Sequence, residues 1–451
     1  MQLSRQDTSP GLRSAFRLRS PHDRSIAILA IPALGSLVAD PFLGLVDTAF
    51  VGRIGSDSLA GLGIAAALFG VAFFIFNFLE YGTTTEVARA VGAGDTPAAG
   101  RAVATAGTLA VGSGFGTALL LLVFAGPLVT ALGASGAVRA EAVTYVMIRA
   151  LAAPAMLLVR TAHGSYRGFQ DTRTPLLVTL GMNGVNLVLD PILIFGAGMG
   201  VAGAAWATVV AQWSGVVAFG ILARRHRARY GLDTARPVRA EVRAFLQIGR
   251  ALAIRTGSLL ATFTVATAVA ARISENAVAA HQVLFQLFVF FALAVDALAV
   301  AAQALVGKHL GSGDRHAALE VADRLLVLAI GVGLLLAAML WALASTIAGW
   351  FTGDPSVIAE FDKAYWLLVL IQPVAAVVFA WDGIFIGAGD FTFLAVAMAV
   401  SGLVASGVLA LVLPMGWGLA GVWWGIVVLL GGRLITLSWR RAGGRSPLHR
   451  G

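Results

Sequence analysis

The sequence predicts an all-α integral membrane protein of twelve transmembrane helices, arranged as two parallel repeats of six. Three observations support this prediction. Hydrophobic residues make up 58% of the 451 residues and charged residues only 12%, about half the charged fraction of a soluble domain. Apolar runs of about 20 residues, the length that a helix needs to cross a bilayer, recur along the whole chain. The two halves of the chain also resemble each other.

The apolar runs favour helices as the spanning elements. A run such as residues 325–344 shows no alternation of polar and apolar positions, which the strands of a membrane β-barrel would require. We therefore expect twelve helical spans. They are 26–51, 61–88, 101–125, 140–165, 175–196, 201–223, 244–270, 277–306, 316–345, 360–386, 391–412 and 418–439.

An internal repeat divides the chain into two halves. Residues 52–95 align without a gap to residues 271–314, at an offset of 219 and with ten identities. The same offset places GFQD (168–171) on GAGD (387–390). Because each half has an even number of spans, both halves have the same orientation in the membrane. Parallel repeats around a cleft are typical of secondary transporters, so the repeat favours transport over a channel or an enzyme.

Basic residues outside the spans predict the topology. The net charge of +9 comes mainly from arginines in the N-terminal tail, in the central connection and in the C-terminal tail. These three segments fall on one side, which the positive-inside rule makes the cytoplasmic side of the cell membrane. The predicted domains are a basic tail (1–25), an N-lobe (26–223), an arginine-rich linker (224–243), a C-lobe (244–439) and a second cytoplasmic tail (440–451).

Five polar residues lie inside predicted spans of the N-lobe. Asp40 and Asp47 are seven residues apart on the first span and share one helix face. Asn183, Asn186 and Asp190 form a stripe on the fifth span. Their repeat equivalents are apolar residues or glycine, so the scaffold itself does not require them. Intramembrane acids suggest a binding site by default, although such groups can also serve only as hydrogen-bond partners of adjacent helices.

The C-lobe carries a different polar set. Arg255, Asp296 and Asp382 have mixed charges, which fits a structural ion pair as well as a binding site. In the N-lobe, Pro41 follows an aspartate and predicts a helix bend, because proline removes one helical N–H. The depth and role of Glu80 are left open. No cysteine, no zinc-ligand spacing, no Walker lysine and no GxSxG motif occurs, so we expect neither a cofactor nor an enzyme.

Several motifs resemble the multidrug and toxic compound extrusion (MATE) family, and within it the DinF-like branch. The resemblance covers almost everything after the basic tail. It implies a V-shaped transporter of two lobes that exports solutes against an inward flow of protons or sodium. The motifs are ADPFLGLVDTAFVGRIG (39–55), YRGFQDTRTP (166–175), NLVLDPILIF (186–195), AAHQV (279–283), VDALAVAAQALVG (295–307) and WDGIFIGAGDF (381–391).

The resemblance also implies roles for individual residues. Asp47 matches the first-helix aspartate of the family, and Asp190 with Asn186 matches the acid and the amide of its N-lobe cation site. Leu259 and Ala375 stand where the NorM branch has acids, which argues against a NorM-like sodium site in the C-lobe. The mixed polar set of the C-lobe looks like that of DinF-like members.

We therefore expect a cation-coupled antiporter, driven by H⁺ rather than Na⁺, in which protonation of the N-lobe carboxylates is the coupling switch. Drugs, other toxic compounds and organic anions are the candidate cargoes. A citrate or organic-acid exporter and a lipid-linked oligosaccharide flippase are the alternatives. Expected partners are a small-molecule substrate and the lipid bilayer, not nucleic acid, and the expected state is a monomer. We expect no metal site other than an alternative one for Na⁺ at Asp47 and Asp190.

Overall fold

The computed structural model describes residues 20–232, 236–443 and 446–448, apart from the side chain of residue 40. The remaining parts of the predicted tails and linker lie outside the described residues. We label the helices α1 to α12 after the predicted spans, and two of them consist of two pieces. They are α1 Asp23–Gly52, α2 Ser56–Phe74 with Asn77–Gly92, α3 Thr96–Ala131, α4 Gly136–Ala150 with Ala153–Gly168, α5 Arg173–Pro191, α6 Val201–Arg225, α7 Arg239–Ile273, α8 Glu275–Gly311, α9 Arg315–Leu343, α10 Pro355–Gly387, α11 Phe391–Met415 and α12 Gly418–Ala442.

The helices confirm the predicted all-helical membrane fold. In the described part of the chain, eleven helical segments are long and apolar enough to cross a membrane, and the two pieces of α4, bent by 55°, form the twelfth. Hydropathy did not predict the breaks in α2 and α4. In α4 the second piece restarts next to Pro154, a residue type suited to the first turn of a helix. Its repeat equivalent, Pro373, lies inside the continuous α10, so the proline permits the break without forcing it.

The two halves repeat the same close helix contacts. Gly164 on α4 lies against the carbonyl of Glu80 on α2, and a β-carbon there would overlap that oxygen. At the same offset of 219, Gly383 on α10 lies against the carbonyl of Ala299 on α8. Only glycine allows two helices to approach so closely. The repeat seen in the sequence is therefore also a repeat of helix packing.

A tight turn confirms the same relation. Gln170 has a φ of 63° and is the one non-glycine residue with a positive φ in the described residues. Its repeat equivalent is Gly389, with a φ of 71°. A side chain in this left-handed region costs about 1 kcal/mol or more. The two equivalent turns thus have the same backbone conformation although one carries glutamine and the other glycine.

The chain folds into two compact units. One unit, the N-unit, contains Ile31–Gly257, and the other, the C-unit, contains Ser258–Gly451 together with the chain up to Ala30. The predicted lobes were separated at the linker, residues 224–243. The compact units of the structure divide after Ala30 in α1 and after Gly257 in α7, and the predicted domain bounds stay a prediction.

Charged contacts hold the start of α1 in the C-unit. Arg324 on α9 donates to both carboxylate oxygens of Asp23, from Nε at 2.6 Å and from Nη2 at 2.9 Å. His22 Nε2 lies 3.4 Å from Glu320 Oε2, one turn before Arg324 on the same helix. These contacts form what we call the start anchor of α1.

The start of α7 is held in the equivalent way in the N-unit. Glu241 accepts from Arg101 Nε at 3.1 Å and from Thr105 Oγ1 at 2.9 Å, both on α3. The repeat offset maps Glu241 on His22 and Arg101 on Glu320. The His22–Glu320 contact of the first anchor and the Glu241–Arg101 contact of the second therefore use equivalent positions with acidic and basic residues exchanged.

Replacing Arg324→Gln should lower the stability of the protein by about 1–3 kcal/mol, because Asp23 loses a bidentate partner that is itself only 8% exposed. The measurement is thermal unfolding of the purified protein in detergent. The control is Lys363→Gln, which removes an exposed ion pair with Glu360 and should change stability by less than about 0.5 kcal/mol. Equal effects of the two substitutions would contradict a stabilising anchor.

Candidate functional site

Three predicted residues meet inside the N-unit. Asp47 lies on α1, and Asn186 and Asp190 lie one turn apart on the facing side of α5. Asp47 is 8% exposed, and the two α5 residues have no exposed surface. We call these three residues the acidic cluster. The prediction that the polar stripes of the first and fifth helices face each other is correct for them.

The amide of Asn186 links the two carboxylates. With its nitrogen turned towards them, an orientation assigned from these partners, Nδ2 donates to Asp47 Oδ1 at 3.0 Å and to Asp190 Oδ2 at 3.3 Å. The two aspartates also interact directly through their side chains. Asp190 Oδ1 is buried without a hydrogen-bond partner among the described residues. A buried oxygen of this kind is costly unless a proton or a cation binds to it.

The backbone changes form directly after the cluster. The α-helical part of α5 ends at Pro191, and a single π-helical turn follows over Ile192–Gly196. Proline has no N–H, so one carbonyl of the preceding turn loses its helical donor. Single π turns are frequent at functional sites. The Asp190–Pro191 pair therefore ends the regular helix beside the acidic cluster.

Asn183 forms a second contact between α5 and α1, separate from the acidic cluster. Its Nδ2 donates to the carbonyl oxygen of Ala39 at 3.1 Å, so its role here is to hold the two helices together. The side chain of the neighbouring Asp40 lies outside the described residues. Helix α1 continues as one element through Pro41, and the bend predicted there stays a prediction.

The C-unit contains a buried ion pair that the sequence analysis only half identified. Asp382 on α10 accepts a hydrogen bond from Arg433 on α12, and their side chains are 6% and 2% exposed. Arg433 was not among the predicted residues, although it is an arginine inside an apolar run. Of the other two residues predicted with Asp382, Asp296 is half-buried in the same unit, whereas Arg255 belongs to the N-unit.

Glu80 has two basic partners in the N-unit. It pairs with Arg167 on α4 and lies 3.7 Å from Arg160 Nη1, which also donates to Asn77 Oδ1 at 2.6 Å. Neither arginine was among the residues predicted from the sequence. Their spacing of seven residues, which places both on one helix face, could have indicated a shared acidic partner. Glu80 is thus neutralised within the protein, which favours a structural role.

The acidic cluster offers two carboxylates and one amide to a ligand. In the described part of the chain, no group of three or more His, Cys, Asp or Glu side chains could hold a metal ion. Two carboxyl groups in contact can instead share a single proton, or hold a monovalent cation with help from the amide oxygen.

A family model describes both halves of the chain. The MatE model matches residues 32–192 and again residues 256–412, which together exceed half of the sequence and lie close to the repeat offset. The chain belongs to the MatE family. It is therefore a multidrug and toxic compound transporter of the MATE type and not an enzyme.

Curated relatives cover nearly the whole transporter. This chain is 34% identical to Protein DETOXIFICATION 44, chloroplastic, of Arabidopsis thaliana, over 92% of this chain and 81% of the relative. It is 31% identical to DNA damage-inducible protein F of Escherichia coli K12, over 93% of this chain and 92% of the relative. The predicted resemblance to DinF-like MATE proteins is confirmed.

Solved structures share the fold of this MATE protein. One similar structure is a MATE protein crystallised in the bent conformation, with a TM-score of 0.87 and 22% identity over 96% of this chain and 97% of that one. Another is an outward-facing multidrug resistance MATE transporter, with a TM-score of 0.83 and 23% identity over 97% and 98%. The two-repeat membrane fold is thereby confirmed.

Replacing Arg433→Gln should reduce the stability of the transporter by about 3–5 kcal/mol, because Asp382 would remain buried without its arginine. The double variant Asp382→Asn with Arg433→Gln should recover part of this loss. Thermal unfolding in detergent measures both, with the exposed Arg272→Gln as the control. A loss of transport without any loss of stability would instead indicate that the pair binds cargo.

Proposed function

We propose that this MATE protein is a proton-coupled antiporter that exports small organic solutes, and that the acidic cluster is its coupling site. The main support is the buried Asp190 Oδ1, which has no hydrogen-bond partner among the described residues. An acid at this position can take up a proton without displacing an existing contact. Asp47 is the second acid of the cluster and the more accessible of the two.

Asn186 can couple the charge of the cluster to its geometry. When both aspartates are ionised, the amide nitrogen faces them and donates two hydrogen bonds. A protonated carboxyl group has an O–H to donate, which the other carboxylate accepts directly or the amide oxygen accepts after the amide has turned over. Protonation therefore changes which groups donate and which accept between α1 and α5. In this mechanism the exchange repacks α1, weakens cargo binding and releases the cargo outward, and loss of the proton inside resets the site.

The number of oxygen atoms in the acidic cluster favours H⁺ over Na⁺ as the coupling ion. A sodium ion needs a shell of several oxygen ligands, as hard cations do in general. The acidic cluster supplies at most five oxygen atoms, and two of the four carboxylate oxygens already accept from the amide nitrogen, whereas a proton needs a single oxygen. Backbone carbonyls near Pro191 would have to complete a sodium site.

The proposals for topology, oligomeric state and cargo rest on the distribution of charge and on the family. We place the arginine-rich side of the protein, with both chain termini, at the cytoplasmic face of the plasma membrane. The proposed active form is a monomer. Its similarity to a DETOXIFICATION protein and to a probable multidrug resistance protein, NorM of Thermotoga maritima, supports amphipathic toxic compounds as cargo. Organic-anion export and oligosaccharide-lipid flipping are the alternatives that a cargo assay in proteoliposomes would separate.

Asp47→Asn should reduce proton-coupled export by at least about tenfold, because an amide cannot gain or lose the coupling proton. The measurement is substrate-driven proton flux in proteoliposomes. The control Asp57→Asn removes an exposed carboxylate at the start of α2 and should leave the flux unchanged. Undiminished coupled transport by the Asp47 variant would disprove the proposed coupling site.

A pH gradient alone should drive cargo movement by the reconstituted protein, whereas a sodium gradient at constant pH should not. The physical reason is the small number of oxygen ligands in the acidic cluster. Transport of a fluorescent organic cation after a pH jump and after a sodium jump tests this, with Asp47→Asn as the negative control. Transport driven by sodium at constant pH would reverse the assignment of the ion.

A further inference from the structure

A cavity lies in the N-unit between α3, α4 and α6, whereas the acidic cluster lies on α1 and α5. Its volume is about 220 Å³. It is lined by residues of α4 between Leu158 and Tyr166, by Val103 and Gly107 of α3, and by Val216 and Gly220 of α6. The walls are almost entirely apolar. Such a space inside a membrane protein suits a hydrocarbon chain better than water.

Aromatic side chains close the cavity at the end that carries the arginine-rich connection. Phe169 and Tyr230 contact each other with ring centres 4.3 Å apart, and Tyr166 packs against Phe219 at 5.5 Å. Tyr166 is 6% exposed, and its buried hydroxyl has no hydrogen-bond partner among the described residues. Buried tyrosine hydroxyls usually find a partner, so this one marks a position for a polar group of a ligand.

Four exposed arginines follow directly after the cavity. Arg224 and Arg225 are in the last turn of α6, and Arg227 and Arg229 are in the turns that follow. The guanidinium of Arg229 lies 5.8 Å from the ring of Tyr230, which itself lines the cavity. An apolar cavity thus leads to a strongly basic segment at one end of the helices.

We propose that this cavity binds one acyl chain of an anionic phospholipid. The acyl chain fills the space between α3 and α6, the Tyr166 hydroxyl donates to an ester carbonyl, and the phosphate lies among the arginines. Charge complementarity selects the lipid, because basic segments beside membrane helices attract anionic headgroups of the cytoplasmic leaflet. This lipid site depends neither on the coupling ion nor on the cargo.

Native mass spectrometry of the full-length protein in detergent tests the site with phosphatidylglycerol and with phosphatidylcholine of the same acyl chains. Wild-type protein should bind one phosphatidylglycerol in preference to phosphatidylcholine. Gly107→Leu should weaken this binding by at least about tenfold, since Gly107 lines the cavity and a β-carbon there meets no atom within 4 Å. Gly220 of α6 also lines the cavity with open space around it, so Gly220→Leu should act alike.

Two further variants complete the test. Gly116→Leu is the matched control, because Gly116 is an exposed glycine with open space on the same helix that does not line the cavity, and it should bind phosphatidylglycerol as wild type does. Arg224→Gln with Arg225→Gln should reduce the preference for the anionic lipid by about fivefold per arginine. Equal binding of the two lipids by wild type, or full binding by both leucine variants, would overturn the proposal.

Discussion

The structure depends on one constraint, that a charge inside a bilayer must find its partner within the protein. The described helices meet this constraint in two ways. Glu80 and Asp382 each have a buried arginine partner, so their charges are neutralised locally. Asp47 and Asp190 instead share an amide, and the charge of Arg149 also acts on Asp47. The first arrangement stabilises a fixed packing, whereas the second is the site at which we propose that the coupling ion binds.

Much of the fold could be predicted because hydropathy and repetition act over long stretches. A run of 20 apolar residues has few alternatives in a bilayer, and the offset of 219 then relates one half to the other. The breaks in α2 and α4 escaped prediction, since they depend on how a helix packs and not on its composition. The division inside α1 and α7 also escaped, because it depends on contacts such as Arg324 with Asp23, more than 300 residues apart.

In the candidate site, too, the features that depend on sequence pattern could be predicted and those that depend on packing could not. Asn186 and Asp190 are four residues apart, so they share a helix face however the helices pack. Their equivalents in the second half of the chain are apolar, which indicated that the fold itself does not need them. Asp47 needed one further assumption, that its polar face meets theirs. The partners of Asp382 and Glu80 could not be predicted from spacing alone, because Arg433 and Arg167 lie on other helices and only the packing decides which arginine is near.

Helix α1 connects the acidic cluster to the start anchor as one continuous helix. From Asp23 to Asp47 it extends about 36 Å at 1.5 Å per residue. Its beginning belongs to the C-unit and the rest to the N-unit. In the proposed mechanism, a rotation or tilt of α1 that follows protonation at Asp47 would pass along the helix towards the contact of Asp23 with Arg324. Pro32 and Pro41, where helical hydrogen bonds are missing, are the two places at which α1 can absorb that motion. The bending stiffness of α1 at these two prolines thus sets how far a change at Asp47 can be felt along the helix.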